Sequence, residues 1–310
     1  MSLNIVFMGT PEFAKYFLEH IYINKKFNIS AVYTQAPKKS HRGQKVNTSS
    51  VYKFAKEKKL NIFCPSKFLS SDINNIKKIN PDVIIVVAYG LILPKEVLII
   101  PGCGSVNVHA SLLPKWRGAA PIHRSIMNGD KKTGISIMKI EEGLDEGPVY
   151  LQSETEIGEN DTYENIYNNL VDIGKQSLDI YFGGHQTHLP IQQNHKLATY
   201  AQKITKEEIQ INFNDTAFKA HKKICAFSPK PGAWFMLDSK KYKIFDSEVI
   251  DQDKIKNFVQ DKNLILKFKK DYLLVKKIQK ESKNIMKIED FQRGQNKELE
   301  NIKKKLGLSE

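Results

Sequence analysis

Short apolar runs alternate with amphipathic stretches along the first 150 residues of the chain. The apolar runs predict β-strands, and the stretches between them have the spacing of helices with one buried face. Thr10 is expected to cap the first helix, with Pro11 at its first position. Alternation at this spacing predicts βαβ units and a parallel sheet covered on both faces. The predicted strands are 3–8, 30–34, 62–64, 83–88 and 105–108, and the predicted helices are 11–23, 50–58 and 71–78.

Two more strands and a long helix are predicted next. The strand patterns cover 134–140 and 149–155, and Asp161 with Glu164 three residues later resembles a capping box at the start of the helix. From residue 183 to about 204 the chain is rich in Gly, His, Pro, Gln and Asn, which is typical of a linker between domains.

The pattern restarts after this stretch with a helix and several short strands. A helix is predicted over 216–226, and the strands that follow are typical of a small barrel. We therefore predict an α/β fold: a Rossmann-like doubly wound, mostly parallel sheet, followed by a small C-terminal β-barrel that is OB-like. The predicted barrel strands are 234–237, 241–245, 263–268 and 273–278, and the predicted domains are 1–184, a linker 185–205, and 206–310.

Composition excludes several classes of protein. A hydrophobic content of 41% is that of a folded globular chain rather than a disordered one. The longest apolar run, 83–93, is about half the ~20 residues that a membrane helix needs, and the first residues do not resemble a secretory signal. We expect a cytoplasmic protein without membrane helices. The cysteines Cys64, Cys103 and Cys225 lie far apart, so neither a disulfide framework nor a metal site is expected.

Basic residues are in excess, with 48 Lys and Arg against 34 Asp and Glu. Residues 201–310 carry 25 basic and 16 acidic side chains, so the charge is densest in the last third. A field of this kind can attract a polyanion, with Lys222, Lys223, Lys269 and Lys270 as candidate phosphate contacts. Composition alone leaves open the other interpretation, that an AT-rich genome favours lysine.

The first turn argues against a dinucleotide cofactor. Only Gly9 is present where the G-x-G-x-x-G motif needs three glycines to admit a pyrophosphate. The second strand ends in Tyr33-Thr34-Gln35, which offers no acid for a ribose hydroxyl. We interpret Gly9 as a structural turn residue.

The strongest chemical signal is the pair Asn107 and His109. Two positions apart on a strand, they share one face, and they lie at the carboxyl end, where open α/β sheets bind ligands. An amide and an imidazole directed to one point can stabilise an oxyanion. Asp145, in a loop with Gly143 and Gly147, can hold His109 in its cationic form and accept protons through water. Taken singly, His109 could be a structural residue and Asp145 a turn former.

Several separated motifs resemble the 10-formyltetrahydrofolate-dependent formyltransferases. The central motif combines Asn107-x-His109 with Ser111-Leu-Leu-Pro114, Arg117-Gly118 and the later Asp145-x-Gly147. Further matches resemble the branch of this family that acts on methionyl-tRNA, and together they cover essentially the whole chain. These further matches are 5–13, 89–94, 115–122, 203–207 and 226–229.

The resemblance implies functional roles for three groups of residues. It implies catalysis by Asn107, His109 and Asp145, folate binding by Ser111, Leu112, Leu113 and Pro114, and tRNA binding by Lys38, Lys39 and Arg42. The loop of the last group departs from the family pattern Gln-Pro-Asp-Arg-Pro-x-Gly-Arg-Gly. It keeps the terminal Arg42-Gly43 and its basic character but lacks an acid, a proline and a glycine.

The implied reaction transfers the formyl group of 10-formyltetrahydrofolate, a co-substrate, to the α-amine of initiator methionyl-tRNA. Asn107 and His109 would stabilise the oxygen of a tetrahedral intermediate, Asp145 would assist proton transfer, and no metal would be needed. Other acceptors remain open, namely a nucleotide-sugar amine and glycinamide ribonucleotide. A catalytically silent RNA-binding protein is a further alternative, against which the intact catalytic set argues.

Overall fold

The structure is a computed structural model that describes residues 2–39, 46–184, 189–258 and 263–307 of the 310-residue chain. The chain divides into two compact units, each assembled from three segments. The first unit comprises 1–119, 133–155 and 169–201, and the second comprises 120–132, 156–168 and 202–310. The segments of the two units interleave along the chain. The predicted limits of two successive domains, at residues 184 and 206, therefore stay a prediction.

Every strand and helix predicted before residue 202 is present, and the described residues also contain four two-residue strands and two α-helices that the pattern did not predict. The strands are β1 (Leu3–Gly9), β2 (Phe27–Tyr33), β3 (Lys38–Lys39), β4 (Val46–Asn47), β5 (Ile62–Phe63), β6 (Val83–Val87), β7 (Ser105–His109), β8 (Arg117–Gly118), β9 (Lys132–Lys139), β10 (Val149–Glu156) and β11 (Tyr200–Ala201). The helices are α1 (Glu12–Ile23), α2 (Ser50–Glu57), α3 (Ser70–Ile79), α4 (Lys95–Leu98), α5 (Pro121–Asn128) and α6 (Tyr163–Gly184).

Seven of these strands form one mixed sheet in the order β10-β9-β7-β6-β1-β2-β5. The pairs from β5 through β7 are parallel, and β9 joins β7 in the antiparallel sense. All five residues of β6 are buried, as expected for a strand that is covered on both faces. The parallel strands β1, β6 and β7 end at one edge of the sheet, which therefore carries the loops that can bind a ligand.

Gly9 is required by packing at the end of β1. A Cβ atom at this position would lie 2.6 Å from the Cβ of Ala14 and 2.9 Å from the carbonyl oxygen of Val87. The residue therefore allows α1 and β6 to approach the strand closely. This contact is consistent with the structural interpretation of Gly9.

Two predicted helix caps differ in the structure. Pro11 rather than Thr10 is the N-cap of α1, because the Thr10 hydroxyl instead donates to the carbonyl oxygen of Tyr89 at 2.7 Å. The start of α6 is capped by Thr162, not by Asp161 with Glu164. The side chain of Asn165 accepts the N–H of Thr162, and the Thr162 hydroxyl accepts the N–H of Asn165 in return.

The second unit contains a curled antiparallel sheet in the order β12-β13-β15-β14, with β16 added to β15. Irregular register around Asp246 bends the long strand β13. The predicted fold class, a mostly parallel Rossmann-like sheet with a small antiparallel C-terminal β-domain, is confirmed. The elements are α7 (Ala217–Phe227), β12 (Ala233–Leu237), β13 (Lys240–Ile250), β14 (Leu264–Lys267), β15 (Tyr272–Lys280), β16 (Met286–Lys287) and α8 (Ile288–Leu306).

The C-terminal helix α8 is held to this sheet by Glu298. Its carboxylate accepts hydrogen bonds from the ammonium groups of Lys240 and Lys280, each at 2.8 Å, and from the hydroxyl of Tyr242. These bonds, the one from Lys240 foremost, lower the pKa of Glu298 to about 2. A depressed carboxyl pKa stabilises the folded state above the unfolded pKa and ceases to do so as the pH falls towards the folded value.

We expect Glu298→Gln to lower the free energy of unfolding at pH 7 by about 1–2 kcal/mol, a value reduced for the solvent near this side chain. The difference from wild type should shrink below about pH 4.5 and vanish towards pH 2. Urea unfolding followed by fluorescence would measure it, since Trp234 lies in β12 of the same unit. Glu300→Gln is the matched control, because Glu300 is an exposed residue of α8 that pairs with Lys303 of the same helix. An equal effect of both changes at every pH would contradict the role of Glu298.

None of the helices within the described residues is both long and apolar enough to cross a lipid bilayer.

Candidate active site

Asn107 and His109 share one face of β7 at its carboxyl end. In register, Asn107 lies between Val86 of β6 and Met138 of β9. His109 is buried and Asn107 half-buried. The strand is therefore fixed on both sides, and its two polar side chains are placed by the sheet rather than by a loop.

Asp145 is brought to the same point by the loop that follows β9. Its Oδ1 atom accepts a hydrogen bond from Nδ2 of Asn107 at 3.2 Å, and its Oδ2 atom lies 3.5 Å from Nδ1 of His109. Oδ2 also accepts the backbone N–H of Gly118 at 2.8 Å. The structure thus brings together the three residues that the sequence singled out as catalytic, with Asn107 and His109 both in contact with the carboxylate of Asp145.

The hydrogen bonding of His109 determines which ring nitrogen carries its proton. Nε2 lies 2.9 Å from the carbonyl oxygen of Trp116. Because a carbonyl oxygen only accepts, Nε2 must donate, and the neutral ring then has a bare Nδ1 facing Asp145. A proton on Nδ1 makes the ring a cation paired with the carboxylate. Nδ1 is therefore the ring nitrogen that can change its protonation at this site.

The local backbone is unusual at both loops of the site. Asp145 has φ of +51° and Trp116 has φ of +61°, in the left-handed region that aspartate tolerates better than most residues. Gly147 is needed for a different reason, since a Cβ there would lie 2.0 Å from the carbonyl oxygen of Lys139. The loop consequently passes very close to the end of β9, which directs Asp145 towards β7.

Two further residues support the loop that carries Asp145, and sequence reasoning gave neither of them a role in the site. Gln193 donates to the carbonyl oxygens of Asp145 and Gly147, and it accepts from the guanidinium of Arg117. Gln193 lies in the stretch interpreted as a linker, which has no sequence signal for a role in a site. Arg117 belongs to the matched motif, but no role was assigned to it.

The segment proposed to bind folate is held by hydrogen bonds from within the protein. The Ser111 hydroxyl donates to the carbonyl oxygen of Lys115 at 2.6 Å, and Ser136 contacts the backbone of both Ser111 and Leu113. Gln152 donates to the carbonyl oxygen of Leu113 at 2.9 Å. The polar groups of Ser111 and Leu113 therefore shape the segment, while the side chains of Leu112 and Pro114 are half-buried at its surface.

Only part of the basic loop after β2 is among the described residues. Lys38 and Lys39 form β3, which pairs with β4 in a two-stranded antiparallel ladder. Arg42 lies outside the described residues. The assignment of these three residues to tRNA binding stays a prediction.

The candidate lysines of the second unit fall into two pairs. Lys222 is only 4% exposed, and its ammonium donates to the carbonyl oxygen of Glu159 at 2.8 Å, so it is not available to a phosphate. Lys223 donates to the carbonyl oxygen of Gln210, and burial lowers its pKa. Lys269 and Lys270 are exposed. The expectation of phosphate contacts is therefore wrong for Lys222 and stays a prediction for Lys223, Lys269 and Lys270.

Within the described parts of the chain, no group of three or more His, Cys, Asp or Glu side chains is arranged to hold a metal ion. Cys64, Cys103 and Cys225 are free thiols, and burial raises the pKa of Cys225 to about 11. That the reaction needs no metal stays a prediction.

Comparison with known proteins finds two family models that match this chain. The Formyl transferase family matches residues 3–179, and the Formyl transferase C-terminal domain family matches 203–296. A relative named methionyl-tRNA formyltransferase, from Wolbachia sp. subsp. Drosophila simulans, is 39% identical over 297 residues, which is 94% of this chain and 96% of the relative.

Two solved structures are similar in fold. WlaRD, a sugar 3N-formyl transferase determined with dTDP and 5-N-formyl-THF, has a TM-score of 0.64 at 18% identity, covering 92% of this chain and 100% of that one. The methionyl-tRNA formyltransferase of Clostridium thermocellum has a TM-score of 0.54 at 20% identity, covering 79% and 93%. At these identities the likeness concerns the fold alone.

Proposed function

We propose substrates and catalytic roles for this chain on the premise that it belongs to the methionyl-tRNA formyltransferase family. The chain is an enzyme that transfers a formyl group to methionyl-tRNA, and its family uses formyl-tetrahydrofolate as the donor. More specifically, we propose 10-formyltetrahydrofolate as co-substrate and the α-amine of initiator methionyl-tRNA as acceptor. The acceptor is a component of translation, and we place the enzyme in the cytoplasm on that ground.

The observation that carries the catalytic assignment is the single carboxylate shared by Asn107, His109 and the loop N–H of Gly118. Each contact fixes one orientation: the amide of Asn107, the ring of His109 and the carboxylate itself. Prearranged donors of this kind stabilise charge that develops during a reaction without a cost of reorganisation.

Asn107 is proposed as the main donor to the oxyanion. One N–H of its Nδ2 atom bonds Asp145, and the other has no hydrogen-bond partner among the residues described. As the amine adds to the formyl carbon, the formyl oxygen becomes negative, so a bond from this second N–H strengthens in the transition state. His109 can contribute through Nδ1 when its ring is cationic, because Nε2 is bound to the carbonyl oxygen of Trp116.

Asp145 is proposed to move the proton. The new bond joins the amine nitrogen to the formyl carbon, and the bond from that carbon to N10 of the folate breaks. The amine nitrogen must lose one proton and N10 must gain one, so the proton count balances over the reaction. A carboxylate beside a ring nitrogen that can carry a proton is suited to accept the first and return the second, through ordered water.

The co-substrate is proposed to contact Ser111, Leu112, Leu113 and Pro114. The hydrogen bonds from Ser136 and Gln152 support this assignment by fixing the backbone of the segment. With the polar groups of Ser111 and Leu113 already paired, the surface that remains for a ligand is mostly apolar. That surface suits a flat aromatic ring system, such as the pterin of a folate.

The tRNA is proposed to bind to basic residues in both parts of the chain. Lys38, Lys39 and Arg42 would lie at the acceptor end, and Lys269 with Lys270 would contact phosphates. The net positive charge of +14 supports a polyanionic partner.

We expect the double charge reversal Lys269→Glu with Lys270→Glu to raise KM for methionyl-tRNA strongly and leave kcat almost unchanged. Each lost phosphate contact should also flatten the slope of log affinity against log salt by roughly 0.7–0.9. Titrations of tRNA binding at several salt concentrations would measure this slope. Lys25→Glu with Lys26→Glu is the matched control, because it makes the same charge change at exposed lysines between α1 and β2. A slope that changes equally in both variants would exclude specific contacts at 269 and 270.

The acceptor is tested by incubating the enzyme with 10-formyltetrahydrofolate, labelled in the formyl group, and initiator methionyl-tRNA. The label should appear in tRNA that carries methionine and not in the same tRNA without it, which lacks the amine. Failure to label methionyl-tRNA under conditions where folate binds would contradict the proposed function.

A further inference from the structure

Gln193 is buried directly beneath the loop that carries Asp145. Its side chain is 7% exposed, and both polar atoms of its amide are fully used. Nε2 donates to the carbonyl oxygens of Asp145 at 2.8 Å and Gly147 at 2.7 Å. Oε1 accepts from Nε of Arg117 at 3.2 Å and from Nη2 at 2.8 Å.

These partners determine the orientation of the amide and require an amide at this position. A guanidinium only donates and a carbonyl oxygen only accepts, so Oε1 must face Arg117 and Nε2 must face the loop. A carboxylate could accept from Arg117 but could not donate to the two carbonyl oxygens. An apolar side chain would leave all of these groups buried without partners.

Arg117 is itself held rigidly, which makes it a firm support for Gln193. Its side chain is 1% exposed, and its Nη1 atom lies 3.2 Å from a carboxylate oxygen of Glu146. Nη2 also lies 3.3 Å from Nδ1 of His195. The guanidinium therefore has a charged partner and two further polar partners, so the amide of Gln193 has little freedom to rotate.

The first part of the loop does little to hold Asp145 in place. Residues 141–144 are exposed, and Leu144 is exposed directly before Asp145. Asp145 lies at positive φ, a conformation that the surroundings must enforce. The two bonds from Gln193 hold the backbone on both sides of Glu146 and thereby the direction in which the Asp145 side chain leaves the chain.

We propose that Gln193 is a positioning residue for catalysis: by bridging Arg117 to the carbonyl oxygens of Asp145 and Gly147, it sets the carboxylate of Asp145 against Asn107 and His109. The inference rests on the proposed function of Asp145. It assigns Gln193 no contact with substrate, and its effect on the reaction passes through Asp145 alone.

Two variants separate this role from a general structural one. Gln193→Ala removes every bond, whereas Gln193→Glu keeps an oxygen acceptor for buried Arg117, now a charged one, and removes the two N–H donors to the loop. Both should lower kcat about 10–100-fold, as expected for a small misplacement of a catalytic group, with KM for methionyl-tRNA and for 10-formyltetrahydrofolate within about twofold of wild type. If Gln193→Ala does not fold, Gln193→Glu alone carries the test. Wild-type kcat in Gln193→Glu would overturn the proposal, because Gln193 would then serve only to satisfy Arg117.

A double-mutant cycle with Asp145→Asn gives the decisive comparison. If Gln193 acts through Asp145, adding Gln193→Glu to Asp145→Asn should lower kcat by less than about twofold more. A full, additive loss would overturn the positioning role while leaving the role of Asp145 intact. Wild-type kcat in Asp145→Asn itself would instead contradict the proposed function. Ile21→Val, a core change in α1 of the same unit, is the control for a loss of stability alone.

Discussion

Asn107→Ala is expected to lower kcat by roughly 10²–10³, the usual effect of removing one oxyanion donor. The reason is that, in the proposed mechanism, the second N–H of its amide would bond an oxygen whose negative charge exists only during the reaction. Binding of both substrates in the ground state should change little, so KM should remain within about twofold. Single-turnover formylation of methionyl-tRNA would measure the chemical step directly.

The matched control for this change is Asn61→Ala. Its amide donates to the backbone carbonyl oxygen of Ser30, so the change removes an asparagine hydrogen bond of the same unit outside the site. The control should keep kcat within about twofold of wild type. Near-full kcat in Asn107→Ala, or an equal loss in both variants, would contradict the oxyanion role of Asn107.

Asp145→Asn is expected to lower kcat by roughly 10²–10⁴, because an amide cannot serve as the proton acceptor. Asparagine tolerates positive φ as aspartate does, so the loop should keep its path. The variant also has one acceptor oxygen where the carboxylate receives N–H groups from both Asn107 and Gly118. Single-turnover formylation of methionyl-tRNA would measure the loss.

Asp179→Asn tests whether removal of a negative charge is enough to produce this effect. Asp179 is an exposed residue of α6 whose carboxylate pairs with His20 at 3.0 Å, away from the site. Its replacement should leave kcat unchanged. Wild-type kcat in Asp145→Asn would mean that another group moves the proton.

The parallel sheet could be predicted because its strands are short, buried on both faces and separated by helices with one apolar face. The runs around Val83–Val87 and Leu3–Gly9 show this most clearly. Close packing of these strands also explains Gly9, which does not indicate a cofactor site. Because glycine has no Cβ atom, Ala14 and Val87 can pack against the strand. Hydrophobic spacing therefore sufficed for the architecture.

The arrangement of Asn107 and His109 was predictable from their spacing on one strand. The role of backbone groups in the site was not predictable. The sequence gives no sign that the carbonyl oxygen of Trp116 binds Nε2 of His109 or that the N–H of Gly118 binds Asp145. Such contacts depend on the path of a loop with positive φ at Trp116. For the same reason the caps of α1 and α6 differ from their predictions, since long-range and neighbouring partners competed for the same side chains.

Residues far along the chain were the hardest to predict. Gln193 lies 48 positions after Asp145, in a polar stretch that resembles a linker, and only the folded chain brings it beneath the loop. The charge of Lys222 favours a position at the surface, yet its ammonium donates to backbone carbonyl oxygens inside the second unit. The helix α8 was missed because charged residues outnumber its buried ones, Ile288, Phe291, Leu299 and Ile302.

The most direct test of the central claim is a competition between two acceptors. Initiator methionyl-tRNA and a dTDP-linked amino sugar are mixed with the enzyme and labelled 10-formyltetrahydrofolate, and the label in each product gives the ratio of the two kcat/KM values. We predict that methionyl-tRNA takes nearly all of the label, and that Asn107→Ala slows its appearance without changing the ratio. Preferential labelling of the amino sugar would contradict the account.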